Sequence, residues 1–136
     1  MDELCEKAAE GSVTLRGTKR DVRPITAMEA SRIRRAYPRP VDPGNLSMAQ
    51  KIAYEAACDD WGAKVQILEA AVGLNYQTKA GLKVGDAWTD TTKVICWGEA
   101  AWSELGNVLS ESEVRMVLAA MQRAAVGSVE EASKNS

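Results

Sequence analysis

The sequence predicts a small, mainly helical domain with one β-hairpin near its N-terminus. Three capping boxes carry most of that reading: Thr26-x-x-Glu29, Ser47-x-x-Gln50 and Ser110-x-x-Glu113. In this pattern two side chains satisfy the orphan N–H groups that open a helix. Apolar residues then recur at steps of three and four after the second and third boxes, as on a helix with one buried face. Only one stretch, Ser12 to Ile25, alternates with period two. At 136 residues the chain suits a single domain with its own core. We divide it into a short helix and hairpin over 1–25, a helical body over 26–127 and a frayed tail over 128–136.

Taken in order, Leu4, Cys5, Ala8 and Ala9 are spaced for a short helix within residues 1–10, marginal without packing partners. In the hairpin, Gly17-Thr18 suits a two-residue II′ turn. That turn would pair Val13 with Val22 and Leu15 with Arg20 on one face, leaving Thr14, Asp21, Arg16 and Lys19 to water. The basic helix from Thr26 should end at Tyr37, because Pro38 disfavours a helical predecessor. Pro38 to Asn45 holds three prolines and reads as a stiff spacer.

Ser47 to Gly73 is the expected spine. Tyr54, Cys58, Trp61, Val65, Leu68 and Val72 form one stripe, and Gly73 suits a left-handed stop. Asp59, Asp60 and Gly62 interrupt the middle, so two helices are the alternative to one, with Asp60 capping the second. The stripe stays in phase, which favours one helix of about 40 Å. Residues 74–85 read as a loop. Asp86 or Asp90 then caps a helix carrying Val94, Trp97, Ala101 and Leu105, stopped by Gly106. The last helix carries Val114, Val117, Leu118 and Met121 and is stopped by Gly127.

Composition removes several function classes. Histidine is absent, which excludes Ser-His-Asp and Cys-His catalysis and His-containing zinc sites. Cys5, Cys58 and Cys96 are odd in number and scattered, unlike a disulfide framework. The acidic start, Met1-Asp2-Glu3-Leu4, lacks a signal pattern, and no apolar run approaches 18 residues. A cytosolic protein that is not secreted and does not enter a membrane is expected, with no cofactor and no catalytic or metal-binding residues. Adjacent Asp59 and Asp60 point about 100° apart on a helix, as a solvated face or cap would have them. Gly81-x-x-x-Gly85 lacks the Lys-Ser/Thr of a phosphate loop. Cys58 and Cys96 read as small core residues.

Net charge is −2, but it is unevenly spread. Arg16 to Arg39 holds eight basic and two acidic residues, while Ser47 to the end holds eight basic and twelve acidic. The basic segment can therefore meet the acidic part of a second copy. Within it, Arg32, Arg34, Arg35 and Arg39 are candidate protein-binding residues. Nucleic acid is not the expected partner, because aromatic residues are not interleaved with the arginines. Of the four tryptophans, Trp61 and Trp97 fall on core stripes. Trp88 and Trp102 fall off them, either as interface anchors or as side chains covered by the 74–85 loop.

The segment Ser12-Val-Thr-Leu-Arg-Gly-Thr-Lys-Arg-Asp-Val-Arg-Pro-Ile-Thr26, the capped basic helix ending in Tyr37-Pro-Arg-Pro40 and the helical remainder resemble the tail assembly chaperones of long-tailed, siphovirus-type bacteriophages. The resemblance implies a non-enzymatic protein of the host cytoplasm. Such a protein binds the tape-measure protein, keeps it soluble, recruits tail-tube subunits and associates with itself. The rival classes are a structural head–tail connector or tail completion subunit and a small DNA-binding regulator.

Overall fold

The computed structural model describes residues 11–42, 44–83 and 87–134, with side chains as far as Val126. The expected short helix in residues 1–10 lies outside the described residues. The remainder is mainly helical with an N-terminal hairpin, as the sequence predicts. The elements are β1 (Ser12–Leu15), β2 (Thr18–Asp21), α1 (Ala27–Ala36), α2 (Met48–Gly73), α3 (Thr91–Val108) and α4 (Glu111–Lys134).

The hairpin forms with a different turn. Ser12 pairs with Asp21, Val13 with Arg20, Thr14 with Lys19 and Leu15 with Thr18. The central residues are Arg16 (φ 50°) and Gly17 (φ 81°), and positive φ at both is the I′ geometry that matches strand twist. Moving the turn back one residue moves the register by two, so each side chain keeps its face. Val13 and Val22 are accordingly buried together. Arg16 is unusual at positive φ. Its side chain is held by Glu113 through two hydrogen bonds of 3.0 and 3.2 Å and by the Val108 carbonyl.

All three capping boxes close. Glu29 N donates to Thr26 Oγ1 and Thr26 N to Glu29 Oε1. The same reciprocal pair joins Ser47 with Gln50 and Ser110 with Glu113. α1 ends at Ala36, with Tyr37 as its cap. α3 is capped by Asp90, whose carboxylate accepts from Thr92 N at 2.8 Å.

α2 is one continuous helix of 26 residues, uninterrupted at Asp59, Asp60 and Gly62. Its C-terminal end is the centre of the molecule. Leu68, Ala71 and Val72 pack with Ile33 of α1 and Val94, Trp97, Ala101 and Leu105 of α3. Ala70, on another side, packs with Val13, Val22 and Val114, Val117, Ala120 and Met121 of α4. Small residues let α4 approach closely. A Cβ on Gly73 would lie 2.6 Å from Met121 Cγ and nearer still to its Sδ.

The three expected glycine stops are corrected. α2 ends at Gly73, but the left-handed residue is Asn75 (φ 52°), two positions later. α3 runs through Gly106 to Val108 and ends on Leu109 in extended conformation. α4 runs through Gly127 to Lys134. None of these glycines adopts positive φ, the property that makes glycine a terminator.

Arg23 reaches the buried Glu29 carboxylate with two bonds, of 2.6 and 2.9 Å. Burial raises the Glu29 pKa, but the Arg23 hydrogen bond and the Thr26 bonds outweigh it and leave the carboxyl below its ordinary value. A depressed carboxyl stabilises the fold at pH above its unfolded pKa of about 4.3, and that increment is lost as pH falls through the lower folded value. The stability difference between wild type and Glu29→Gln should therefore shrink between about pH 6 and about pH 3 in urea titrations. Gly73→Ala should cost about 1–3 kcal/mol by overpacking. Combining it with Met121→Ala should give a non-additive loss, measured by the same denaturation.

Candidate protein-binding surface

Two stretches of surface meet the physical description of a contact site. The first is the N-terminal half of α2. None of the thirteen residues Met48–Asp60 is buried, yet eight of them are apolar. Met48 and Ile52 are 74% and 62% exposed. They lie one turn apart, on the side of α2 away from the stripe that Leu68 and Val72 bury. Ala49, Ala53, Ala56 and Ala57 are exposed around the rest of the circumference. Gln50, Lys51, Glu55, Asp59 and Asp60 are spread among them, so this half presents a mixed surface in which Met48 and Ile52 are the large exposed apolar groups. Tyr54, Cys58, Trp61 and Val65, expected on a buried stripe, are only half-buried, because full burial of α2 begins at Leu68 and before it the helix is covered in part, by Tyr37 at Trp61 and Glu99 at Lys64.

The second is a shallow groove of about 570 Å³ where α1, α2 and α3 meet. Trp102 lines it with Tyr37, Trp61 and Lys64. Gly98 is what lets Tyr37 in, since a Cβ there would lie 2.8 Å from the tyrosine ring. Tyr37 Oη donates to the Ile95 carbonyl at 2.8 Å. Burial, and next the charge of Glu99, push the Tyr37 hydroxyl up to about 12. Lys64 lies over the Tyr37 ring at 4.5 Å and pairs with Glu99. Trp61 Nε1 donates to the Tyr37 carbonyl at 2.7 Å, and Arg39 sits 5.9 Å above its ring. Through that contact the proline-rich segment after α1 doubles back along α2. The groove thus holds three aromatic rings in fixed orientations with a cation over two of them, an arrangement suited to apolar side chains with an acidic neighbour.

The two off-stripe tryptophans separate. Trp88 is 8% exposed and packs edge-on against Trp97, with centroids 5.3 Å apart and planes at 63°. It belongs to the core and offers no surface to a partner. The loop predicted over 74–85 is the reason: Tyr76 and Leu82 pack onto the same cluster. Glu104 of α3 ties that loop down by accepting from Tyr76 Oη and Lys79 N. Trp102 remains half-exposed in the groove.

Of the candidate arginines, Arg34, Arg35 and Arg39 are exposed and Arg32 is half-buried. None forms an ion pair among the described residues. Arg16 and Arg23 do, with Glu113 and Glu29 of the same chain, so part of the basic segment is engaged at home. Glu55, Asp59 and Asp60 are exposed on the free half of α2. Sequence reasoning missed the free half itself. Its signal was present in Met48 and Ile52, apolar residues lying off the predicted stripe. Among the described residues no group of His, Cys, Asp and Glu is placed to hold a metal ion, and no helix is long and apolar enough to cross a membrane.

Trp88→Ala should cost about 3–5 kcal/mol, as for a buried aromatic, and Trp102→Ala markedly less. Chemical denaturation of the two variants checks this directly; equal losses would mean that Trp102 is also core.

No protein-family model matches the chain, and no curated protein or solved structure matches it.

Proposed function

We propose that this protein is a non-enzymatic assembly chaperone of a bacteriophage tail. In this reading it acts in the host cytoplasm, binds apolar helical segments of the tape-measure protein and helps to recruit tail-tube subunits. The observation that carries it is the free half of α2, without a buried residue from Met48 to Asp60 and with Met48 and Ile52 exposed one turn apart. A helical client presenting residues at i, i+3, i+4 and i+7 can lie along such a surface, as amphipathic helices do in grooves. The half-buried Trp102 and Trp61 beside it supply rigid aromatic contact area. The hairpin followed by a capped basic helix, on which the family resemblance rests, agrees with the same reading.

Self-association belongs to the proposal. Arg34, Arg35 and Arg39 of one copy are exposed and Arg32 half-buried, none in an ion pair among the described residues, and Glu55, Asp59 and Asp60 offer the opposite charge on another. Such exposed pairs are screened beyond about 8 Å at physiological salt.

A tape-measure fragment co-expressed with the protein should be retained by the wild type and lost with Met48→Glu/Ile52→Glu. The double variant should keep its melting temperature, since both side chains are already in water. Oligomers seen by sedimentation at low salt should dissociate as salt rises. Failure of the wild type to retain the fragment would move the assignment to a structural connector or tail completion subunit, which stays in the finished particle.

A further inference from the structure

A second cavity, of about 770 Å³, lies on a different face, between the hairpin and the turn that follows α2. Thr18, Lys19, Arg20 and Asp21, the whole of β2, line it. Side chains of consecutive strand residues point to opposite faces, so four in a row can border one space only if the strand presents its edge. The hydrogen bonds agree. Val22 N donates inward to the Gly11 carbonyl at 2.6 Å, which turns the backbone groups of Lys19, Asp21 and Arg23 outward. The outward N–H of Arg23 is taken by the Gly73 carbonyl at 2.9 Å. Gly73 thus occupies the first rung of a third-strand position. The chain then turns away through Leu74 and the left-handed Asn75. At the next two rungs, the backbone groups of Asp21 and Lys19 have no hydrogen-bond partner among the described residues.

We infer that this slot takes an extended peptide segment of a partner protein as a third, edge-added antiparallel strand, with apolar side chains alternating with a basic one opposite Asp21 and an acidic one opposite Lys19. The alternation follows from the walls. Leu15, Leu105 and Leu109 floor the cavity, so inward side chains of the added strand meet aliphatic surface. Outward ones lie across from Lys19 and Asp21, so a carboxylate is favoured at the first and a cation at the second. Arg20, paired with Val13, lies on the inward face, so the outward face of the open edge carries one charge of each sign. A free peptide segment fits better than a second copy, because a second copy would bring its own wall of residues 74–77 to the same edge. An open edge is otherwise a liability that proteins cover, and main-chain bonding by edge addition is a general mode of peptide capture.

The test uses the full chain and the pentapeptide acetyl-Val-Lys-Val-Glu-Val-amide as probe, which sets Lys opposite Asp21 and Glu opposite Lys19. Titration should shift the Lys19 and Asp21 amide resonances and slow their hydrogen exchange. Methylating one set of alternate peptide nitrogens should weaken binding about tenfold or more, and methylating the other set should not, because only one set faces β2. The forms with two Glu or two Lys, each of which sets a like charge opposite Asp21 or Lys19, should bind more weakly. Lys19→Pro, which removes an outward N–H and spares the β1–β2 bonds, should bind less while keeping the hairpin resonances. If the proline disturbs the hairpin, the methylated peptides still decide. The proposal is overturned if Lys19 and Asp21 do not respond to the peptide, if both methylated forms bind like the parent, or if the two amides become protected by raising protein concentration alone, which would mean that a second copy fills the slot.

Discussion

The fold depends on the last two turns of α2, where Leu68, Ala70, Ala71, Val72 and Gly73 are buried. A helix usually hides one face and wets the other. Here α1 and α3 cover one side while α4 and the hairpin cover another. That is possible because three of the five residues are alanine or glycine, so neighbouring helices can approach without a side chain intervening. Gly73 is the extreme case, with Met121 lying where its Cβ would be. The same residue lends its carbonyl to Arg23, fixing the hairpin exit to the helix that everything else surrounds.

The hairpin is placed by charge as well as by packing. Two of the three capping boxes end in glutamate, and each glutamate is also the target of an arginine from the hairpin region. Arg16, at the turn, reaches Glu113 at the start of α4; Arg23, just past the second strand, reaches Glu29 at the start of α1. A carboxylate at a helix N-terminus is already favoured by the helix dipole, and these bonds make it an anchor for a distant part of the chain. A two-stranded hairpin is marginal alone. This one is held at both ends by ionic bonds to helix starts and along its apolar face by Val13 and Val22.

Local signals were legible in the sequence; signals that depend on three-dimensional neighbours were not. The capping boxes located three helix starts because the pattern is self-contained within four residues. The parity of the hairpin faces was readable, since alternation survives a register shift of two, but the turn was not. Placing Arg16 at positive φ is supported by Glu113, 97 residues away. Glycine misled at three helix ends because a glycine can also sit inside a helix: Gly73 allows a close approach by Met121, while a Cβ on Gly106 would meet only Ile67 at an ordinary 3.6 Å. The sequence leaves Trp88 open between an anchor and a side chain under the loop, because a loop without periodicity, here tied down by Glu104, does not announce what it covers. In the candidate surface, Trp102 was legible as off-stripe. The free half of α2 was not, because a stripe in phase says which residues would be buried if a partner were present, and not whether one is.

That last distinction bears on how the protein could work. The buried and free halves of α2 are one helix, with a continuous backbone ladder through Asp59, Asp60 and Gly62. Had Asp60 capped a second helix, the free half would have been joined by a hinge, and its orientation would be lost each time the hinge moved. Continuity instead fixes the free half at one angle to the core, and Arg39 over Trp61 braces the segment where it leaves. A contact surface held on a rigid element loses less entropy on binding than one carried by a loop. Thirteen residues of isolated helix would be marginal in water. These persist because the buried half nucleates them from one end and the Ser47–Gln50 box closes the other, so the core of this domain maintains a surface that the core itself does not use.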